Sequence, residues 1–565
     1  MSVVLSEHLP LLASAPDGIQ KLRGLILELA VRGKLMSQDP NDEPASQLLK
    51  RIVQERAKLE AQGICKKSKV TLLAANDERP FKLPSTWEWV RLGAISEKLT
   101  DGSHNPPSDA RSGTPMLSSQ NVQDGWIDTT NPSRYLSEQD FALEDSRTKI
   151  KPDDVLLTIV ASIGRSAVVK EEHPRFALQR SVAVIHTKLV PEFMSLQLRA
   201  PAARRYYDQH GKGTAQKGIY LGKLGEMPVA VPPLAEQHRI VAKVDELMAL
   251  CDRLEAEQAD AASAHTRLIE TLVGTLTQST DATDLAANWQ RLAEHFETLF
   301  TTEASIDALK QTVLQLAVMG KLVPQDPNDE PSSKLLERIS REKARLAQTE
   351  GLRTTAEPSL ETDERYIEIP GSWQFQRLGN IAKFIDYRGK TPEKTSTGVP
   401  LITAKNVRFG YISREPREFV SELEYTNWMT RGLPRLGDIL FTTEAPLGNV
   451  AIVDINERFA LAQRVICLQF HEPQIAAYLL LALMSMQVRR RIEVEATGMT
   501  ATGIKASRLK EIPVPLPPLA EQHRIVAKVD ELMTLCDRLK ADLATARQHQ
   551  ATLADTLIDA ALEAA

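Results

Sequence analysis

Apolar positions along two stretches of the chain fall at alternating spacings of four and three. Ile240, Val244, Leu247, Cys251 and Leu254 form one stripe, and Ile525, Val529, Leu532, Cys536 and Leu539 repeat it. This is the seam spacing of a coiled-coil helix. It predicts a long helix over 234–278 that, at ~1.5 Å per residue, reaches roughly 65 Å. Pro232-Pro233 supplies a sharp entry. Helical periodicity over 19–35 and 306–322 predicts shorter amphipathic helices ending near Gly33 and Gly320. A QDPNDEP turn follows in each case, and SQLLKRIVQERAKL or SKLLERISREKARL resumes helix. The intervening stretches 81–230 and 366–515 lack this period. They carry short β-branched runs (VLLTIV, VAVIH, ILFTT, VICLQF) between Gly and Pro residues, the pattern of mixed α/β globular domains.

The chain is a tandem repeat. IQKLRGLILELAVRGKLMSQDPNDEP from Ile19 answers IDALKQTVLQLAVMGKLVPQDPNDEP from Ile306, and PPLAEQHRIVAKVDELMALCDRLEA from Pro232 reappears from Pro517 at an offset of about 285 residues. Between these anchors the likeness weakens but stays in register. LPSTWEWVRLG answers IPGSWQFQRLG, PMLSSQNVQDGWI answers PLITAKNVRFGYI, and KPDDVLLTIVASIG answers RLGDILFTTEAPLG.

Two copies of one unit share an age, so their unequal divergence is informative. The helical arms barely differ, while the globular blocks differ at most positions. Arms of one sequence suit two copies of one partner about a pseudo-twofold axis; unlike blocks suit a ligand with two unlike halves, such as a split DNA site. Glu236, Gln237, Arg239 and Lys243 repeat as Glu521, Gln522, Arg524 and Lys528. Read as outward polar positions, they are candidate partner-binding residues. Recent recombination between the arms would preserve them equally well.

Charge qualifies this picture without overturning it. The net charge is −5, yet residues 81–230 hold 19 Lys+Arg against 17 Asp+Glu, and residues 366–515 hold 19 against 15. Two mildly basic blocks therefore sit between acidic helical segments, which permits DNA binding. Cys65, Cys251, Cys467 and Cys536 show no CxxC spacing, arguing against zinc and disulfides and suiting a reducing cytoplasm. The start MSVVLSEHLPLLASAPDG does not read as a signal peptide, and no stretch is apolar enough to span a membrane.

The PPLAEQHRIVAKVDELM helix, the LAVRGKLMSQDPNDEPAS segment and the paired variable blocks resemble the specificity subunit of type I restriction-modification systems. The resemblance covers nearly the whole chain. It implies an α+β fold: two mixed α/β target-recognition domains joined by long antiparallel helices, arranged as a pseudo-twofold tandem repeat. The expected organisation is an N-terminal helical segment (1–80), recognition domain 1 (81–230), a central helical region (231–365), recognition domain 2 (366–515) and a C-terminal helical region (516–565). It further implies double-stranded DNA as ligand, two methyltransferase subunits docked on the helices, and, if present, two restriction subunits. S-adenosylmethionine is then expected in the partner, with no cofactor or metal bound by this chain.

The residues themselves carry little catalytic chemistry. Asn105-Pro106-Pro107-Ser108 has a serine where an amino-methyltransferase motif needs an aromatic, and no glycine-rich cofactor loop, Walker loop or HExxH accompanies it. Candidate DNA contacts come instead from polar and basic loops at matching places in both blocks. In the first block these are Ser103, His104, Asn105, Ser119, Gln120, Asn121, Gln179, Arg180, Lys212, Thr214, Gln216 and Lys217. In the second they are Arg388, Lys390, Thr403, Lys405, Asn406, Gln463, Arg464, Thr497, Thr500 and Thr502. Arg and Lys can pair with guanine edges or phosphates, and Asn and Gln with adenine. The Gln-Arg pairs have a competing role as braces of a strand, and Trp87 and Trp373 read as core anchors. Two rivals remain at this point: a self-contained DNA methyltransferase, and a helical scaffold whose heads bind protein.

Overall fold

The computed structural model describes residues 10–63, 70–213, 216–280, 282–349, 360, 364–387, 392–497 and 502–564. It divides into two compact units, residues 1–260 with 546–565, and residues 261–545. The division falls inside both long helices. Helix Leu234–Gln278 contributes to unit 1 up to Asp260, and helix Leu519–Ala564 contributes to unit 2 up to Thr545. Each unit is thus completed by the far end of a helix that starts in the other copy. The fold is α+β with long helices.

In unit 1, β1 (Glu88–Arg91) pairs antiparallel with β9 (Pro228–Val231). Between them lie β2 (Ser96–Asp101), β3 (Thr114–Leu117), β4 (Arg134–Leu136), β5 (Val155–Thr158), β6 (Ser166–Val168), β7 (Ala177–Leu178) and β8 (Val182–Thr187). They form a four-stranded antiparallel sheet, order β2-β8-β5-β6, and a three-stranded sheet, order β4-β3-β7, in which β3 and β7 run parallel. Apolar residues run continuously along β5 and β8 because both faces of that sheet are covered. Val155, Leu157, Ala183 and Ile185 face a core shared with Met194 and Leu198. Leu156, Val182 and Val184 face the opposite core with Leu117 and Leu178. The strand period of two separates the two sets.

Unit 2 repeats this plan. β10 (Gln374–Arg377) pairs with β19 (Pro513–Leu516), and β11 (Ala382–Asp386), β18 (Val465–Phe470), β15 (Ile439–Thr442) and β16 (Val450–Ile452) form the four-stranded sheet in that order. An additional strand, β12 (Lys394–Thr395), extends the smaller sheet, which also holds β14 (Phe419–Val420), β13 (Val399–Ile402) and β17 (Ala460–Leu461). In both units the first and last strands of the variable block are hydrogen-bonded neighbours. The block is therefore a cassette whose two ends meet on the helical frame.

The seam of the long helix is buried as its spacing requires, and in unit 1 it packs on helix Gly18–Val31. Ile240, Val244, Leu247 and Cys251 share a core with Leu22, Leu25, Ile26 and Leu29. The corresponding shorter helices, Gly18–Val31 and Glu303–Val318, each close with a glycine. Gly33 and Gly320 both adopt φ 69°, and a Cβ there would lie 2.6 Å from Pro84 or 2.4 Å from Pro370, so no other residue fits either position.

One expectation is corrected. Glu236, Gln237, Glu521 and Gln522 do not point outward; all four are at most 1% exposed. Glu236 Oε2 accepts the indole N–H of Trp87 at 2.9 Å and Oε1 accepts the amide of Gln38 at 3.2 Å, while Gln38 also donates to the carbonyl of Gly33. Trp373 donates to Glu521 at the same 2.9 Å, joined by Gln325. Gln237 accepts from the backbone N–H of Val190 and donates to the carbonyl of Pro232. Arg239 binds Asp42 and Arg524 binds Asp329, which ties the QDPNDEP turn to the long helix. These polar residues repeat because the interior of each copy needs them.

Burial raises the carboxyl pKa of Glu236 and Glu521 above the ordinary glutamate value, offset in part by the Trp and Gln donors. The folded chain thus holds these protons more tightly than the unfolded chain. Their contribution to stability is greatest at acid pH and declines as pH rises through the window above the ordinary value. Glu236→Ala orphans the Trp87 indole and should lower stability by about 1–3 kcal/mol in urea denaturation followed by tryptophan fluorescence. Glu236→Gln removes the titration, so its urea midpoint should fall less steeply than wild type between about pH 4 and pH 7. An unchanged slope would show that this carboxyl does not titrate in the folded chain.

Candidate nucleic-acid interface

Four sequence-distant loops of the first block meet at one end of the β2-β8-β5-β6 sheet. Val182 opens β8 opposite Thr158 at the close of β5. Ser103, just past β2, bridges Gln179, and the N–H of Arg180 donates to the carbonyl of Ser103 at 2.8 Å. The N–H of Ser119 donates to Ser181 Oγ at 3.0 Å. The Lys212–Lys217 loop joins through Gly218, which bridges Val160 and Lys212, and through the N–H of Ala161 donating to the carbonyl of Lys217.

The second block gathers its loops the same way. Gly503 bridges Glu444 and Thr497, the N–H of Thr443 donates to the carbonyl of Arg464 at 3.0 Å, and the N–H of Ala462 donates to the carbonyl of Ile402 at 2.9 Å. The candidates Thr214, Arg388, Lys390 and Thr500 lie outside the described residues.

Individual candidates separate into tips and braces. Asn121 and Asn406 are buried braces, a correction to their reading as base contacts. Asn121 Oδ1 accepts from the N–H and hydroxyl of Ser118, and its amide donates to the carbonyls of Asp128 and Asn131. Asn406 makes the corresponding bonds to Thr403, Ser413 and Pro416. With donor and acceptor sites both engaged, neither amide is free for adenine. Ser103 is also buried, with its hydroxyl on Glu144 at 2.8 Å. Gln179 is half-buried and donates to Ser133 Oγ at 2.8 Å, and Gln463 is likewise half-buried. Ser119 and Thr403 are half-buried in their loops.

The exposed set is His104, Asn105, Gln120, Arg180, Lys212, Gln216, Lys217, Lys405, Arg464, Thr497 and Thr502. His104 leans on Asp101 at 2.9 Å, Lys217 on Asp208 at 3.1 Å and Arg464 on Glu444 at 2.5 Å. Arg180 and Lys212 make no ion pair among the described residues. Two arginines were not among the sequence candidates. Arg147 donates to the carbonyl of Asp101 at 3.1 Å, and Arg431 donates to the carbonyl of Asp386 at 2.6 Å. Both are exposed at the same sheet end. Their recurrence in two otherwise divergent segments was the available signal. Asn105-Pro106-Pro107-Ser108 forms a surface loop whose carbonyls accept from Arg134.

On the repeated helix, the residues that do face outward at matching positions include His238, Ala242, Asp245 and Glu246, and His523, Ala527, Asp530 and Glu531. Their spacing of four, three and one places them on one stripe. Arg239 and Arg524 are half-buried on aspartates. Lys243 and Lys528, also half-buried, pair with Glu246 and Glu531.

Residues 84–262 and 370–545 each match the model of the type I restriction modification DNA specificity domain. The chain belongs to the specificity subunits of type I restriction-modification systems. It is 37% identical over 569 residues to the type I restriction enzyme EcoAI specificity subunit of Escherichia coli, covering 96% of this chain and 94% of that one. The EcoEI specificity subunit of the same organism is 35% identical with the same coverage. Among solved structures, the HsdS subunit from Thermoanaerobacter tengcongensis matches 86% of this chain and 98% of its own at 20% identity, with a TM-score of 0.39. Among the described residues, no helix of this specificity subunit is long and apolar enough to cross a membrane.

The braces are open to a direct test. Asn121→Ala and Asn406→Ala each remove several buried hydrogen bonds and leave backbone groups unpaired. Each should cost about 1–3 kcal/mol in chemical denaturation, whereas Gln120→Ala, on the same loop but exposed, should be silent.

Proposed function

We propose that this specificity subunit reads a bipartite, asymmetric DNA site, one half with each variable block, and directs methylation and restriction carried out by partner subunits. The observation that carries this reading is the convergence of matching loops at the same sheet end in both units, with unlike side chains at the tips. Loops in one frame with different chemistry suit two half-sites of different sequence. Exposed Arg180 and Lys212 supply phosphate or guanine contacts, and Gln120 and Asn105 supply amides for adenine. Because phosphate contacts release counterions, binding weakens as salt rises.

The outward stripes at His238–Glu246 and His523–Glu531 are the proposed docking surfaces for two methyltransferase subunits. They replace the buried Glu236, Gln237, Glu521 and Gln522 in that role. S-adenosylmethionine belongs to those partners, this chain being non-catalytic, and restriction subunits join the same complex where present. A closed cassette whose ends pair as β1 with β9 also suits exchange of one block without disturbing the frame.

Four measurements test this reading. Methylation maps of host DNA with and without the gene should differ by one gapped motif. Replacing residues 81–230 with another block should alter one half of that motif, and a change in both halves would refute independent heads. Asp245→Lys with Glu246→Lys should lower co-purified methyltransferase from two copies to one, and the matching changes at Asp530 and Glu531 should remove the other. Transfer of radiolabel from S-adenosylmethionine to DNA by the purified chain alone would favour a self-contained enzyme instead.

A further inference from the structure

Each block carries an exposed aromatic side chain at the same place, whereas the exposed Tyr220 of the first block has Lys505 at its counterpart. Trp126 is 58% exposed and Tyr411 is 61% exposed. Each closes the two-residue turn of a tight hairpin that follows the bracing asparagine, its carbonyl accepting the N–H of Gln123 or of Arg408. Val122 bridges Ile127 and Val407 bridges Ile412, and all four of these flanking residues are buried. A glycine with positive φ, 92° at Gly125 and 90° at Gly410, immediately precedes each aromatic. Turn chemistry of this kind holds the strands close and leaves the tip little freedom. The tip is fastened at a second point, because the N–H of Gly125 donates to the carbonyl of Ser166 and that of Gly410 to the carbonyl of Val450.

The position of the tip is informative. Ser166 pairs with Leu157, one residue from the sheet end where the recognition loops meet. Gln123 reaches back to the carbonyl of Gln120 at 2.7 Å, tying the first hairpin to the Ser119–Gln120 loop. A solvent-facing aromatic recurs at the same end of both blocks, at matching positions beside loops of differing sequence. The residues between its anchors differ: Gln123-Asp124 in one copy, Arg408-Phe409 in the other.

We infer that Trp126 and Tyr411 are DNA-contacting residues, each packing its ring on the sugars and base edges of the half-site read by its own block. The inference rests on reading the blocks as DNA-binding heads. It assigns the aromatic to DNA because its hairpin shares the sheet end of the polar loops in both blocks and, in the first, is linked to one of them by a hydrogen bond. The stripes proposed to dock the methyltransferase lie on the long helices instead. Ring contacts with nucleotides, judged from alanine substitution at stacking sites, are worth roughly a five- to hundred-fold change in affinity.

The test uses the complex assembled with its methyltransferase and the gapped site found by methylation mapping. Duplexes carry 5-iodouracil at each thymine in turn, and cross-linked peptides are identified by mass spectrometry. Trp126 should cross-link in one half-site and Tyr411 in the other. Trp126→Ala should weaken binding roughly five- to hundred-fold with the melting temperature and bound methyltransferase unchanged, and Trp126→Phe should restore most of the loss. Cross-links confined to other residues, with Trp126→Ala binding as wild type, would overturn the assignment. So would loss of methyltransferase from the Trp126→Ala complex, which would make the tip a protein contact. If the wild-type complex protects no gapped site, the reading of the blocks as DNA heads fails first, and this assignment fails with it.

Discussion

A buried carboxylate on the long helix, Glu236 in one copy and Glu521 in the other, is the constraint on which each unit depends. It receives the indole N–H of the tryptophan that opens the variable block and the amide of the glutamine that opens the QDPNDEP turn. One side chain thus joins three segments far apart in sequence: the first helical hairpin, the block and the long helix. A buried charge is costly unless its hydrogen-bonding capacity is filled, so losing any donor penalises all three. Arg239 on Asp42 and Arg524 on Asp329 fasten the same turn from three residues further along the helix. This requirement accounts for the repetition of the buried polar residues Glu236, Gln237, Glu521 and Gln522 without invoking any partner.

On that frame the variable block behaves as an insertion. Its first and last strands pair, its central sheet is covered on both faces, and its loops leave from one end of that sheet. Internal bracing and surface chemistry are thereby assigned to different atoms. Asn121 and Asn406 hold the loop backbone with all their polar capacity, which frees Ser119, Gln120, Lys405 and the hairpin tips to differ between copies. A loop built this way can change what it presents without changing its path.

Much of the architecture was legible in the sequence. The alternating four-three spacing marked the long helices, and the seam residues are buried as that period demands. Runs such as VLLTIV and VAVIH marked short strands of mixed α/β blocks, and they became β5 and β8, whose sheet is covered on both faces. The bracing role weighed for the Gln-Arg pairs is visible in Gln179, whose backbone N–H donates to Leu117 and whose amide is engaged by Ser133. Less legible were the candidate contacts. Asn121 and Gln120 look equally polar in a string of letters, yet one is buried and the other exposed. Glu236 and Gln237 occupy a helix whose charged neighbours face solvent, and nothing local announces that a tryptophan and a glutamine far away in the chain will cover them.

The sequence by itself determined that the protein is a duplicated unit, that its arms are helical and its blocks are mixed α/β, and which residue types its loops offer. These follow from periodicity and from comparing one half of the chain with the other, both of which are local or internal to the sequence. Only the tertiary structure decided which polar residues are consumed inside the protein and which remain for a ligand. Hydrogen bonds such as Trp87 to Glu236, and the meeting of Ser103, Ser119, Arg180 and Gly218 at one sheet end, join positions separated by tens to well over a hundred residues. Side-chain availability is a property of that packing, because burial and partner geometry are set by segments that the local pattern does not contain.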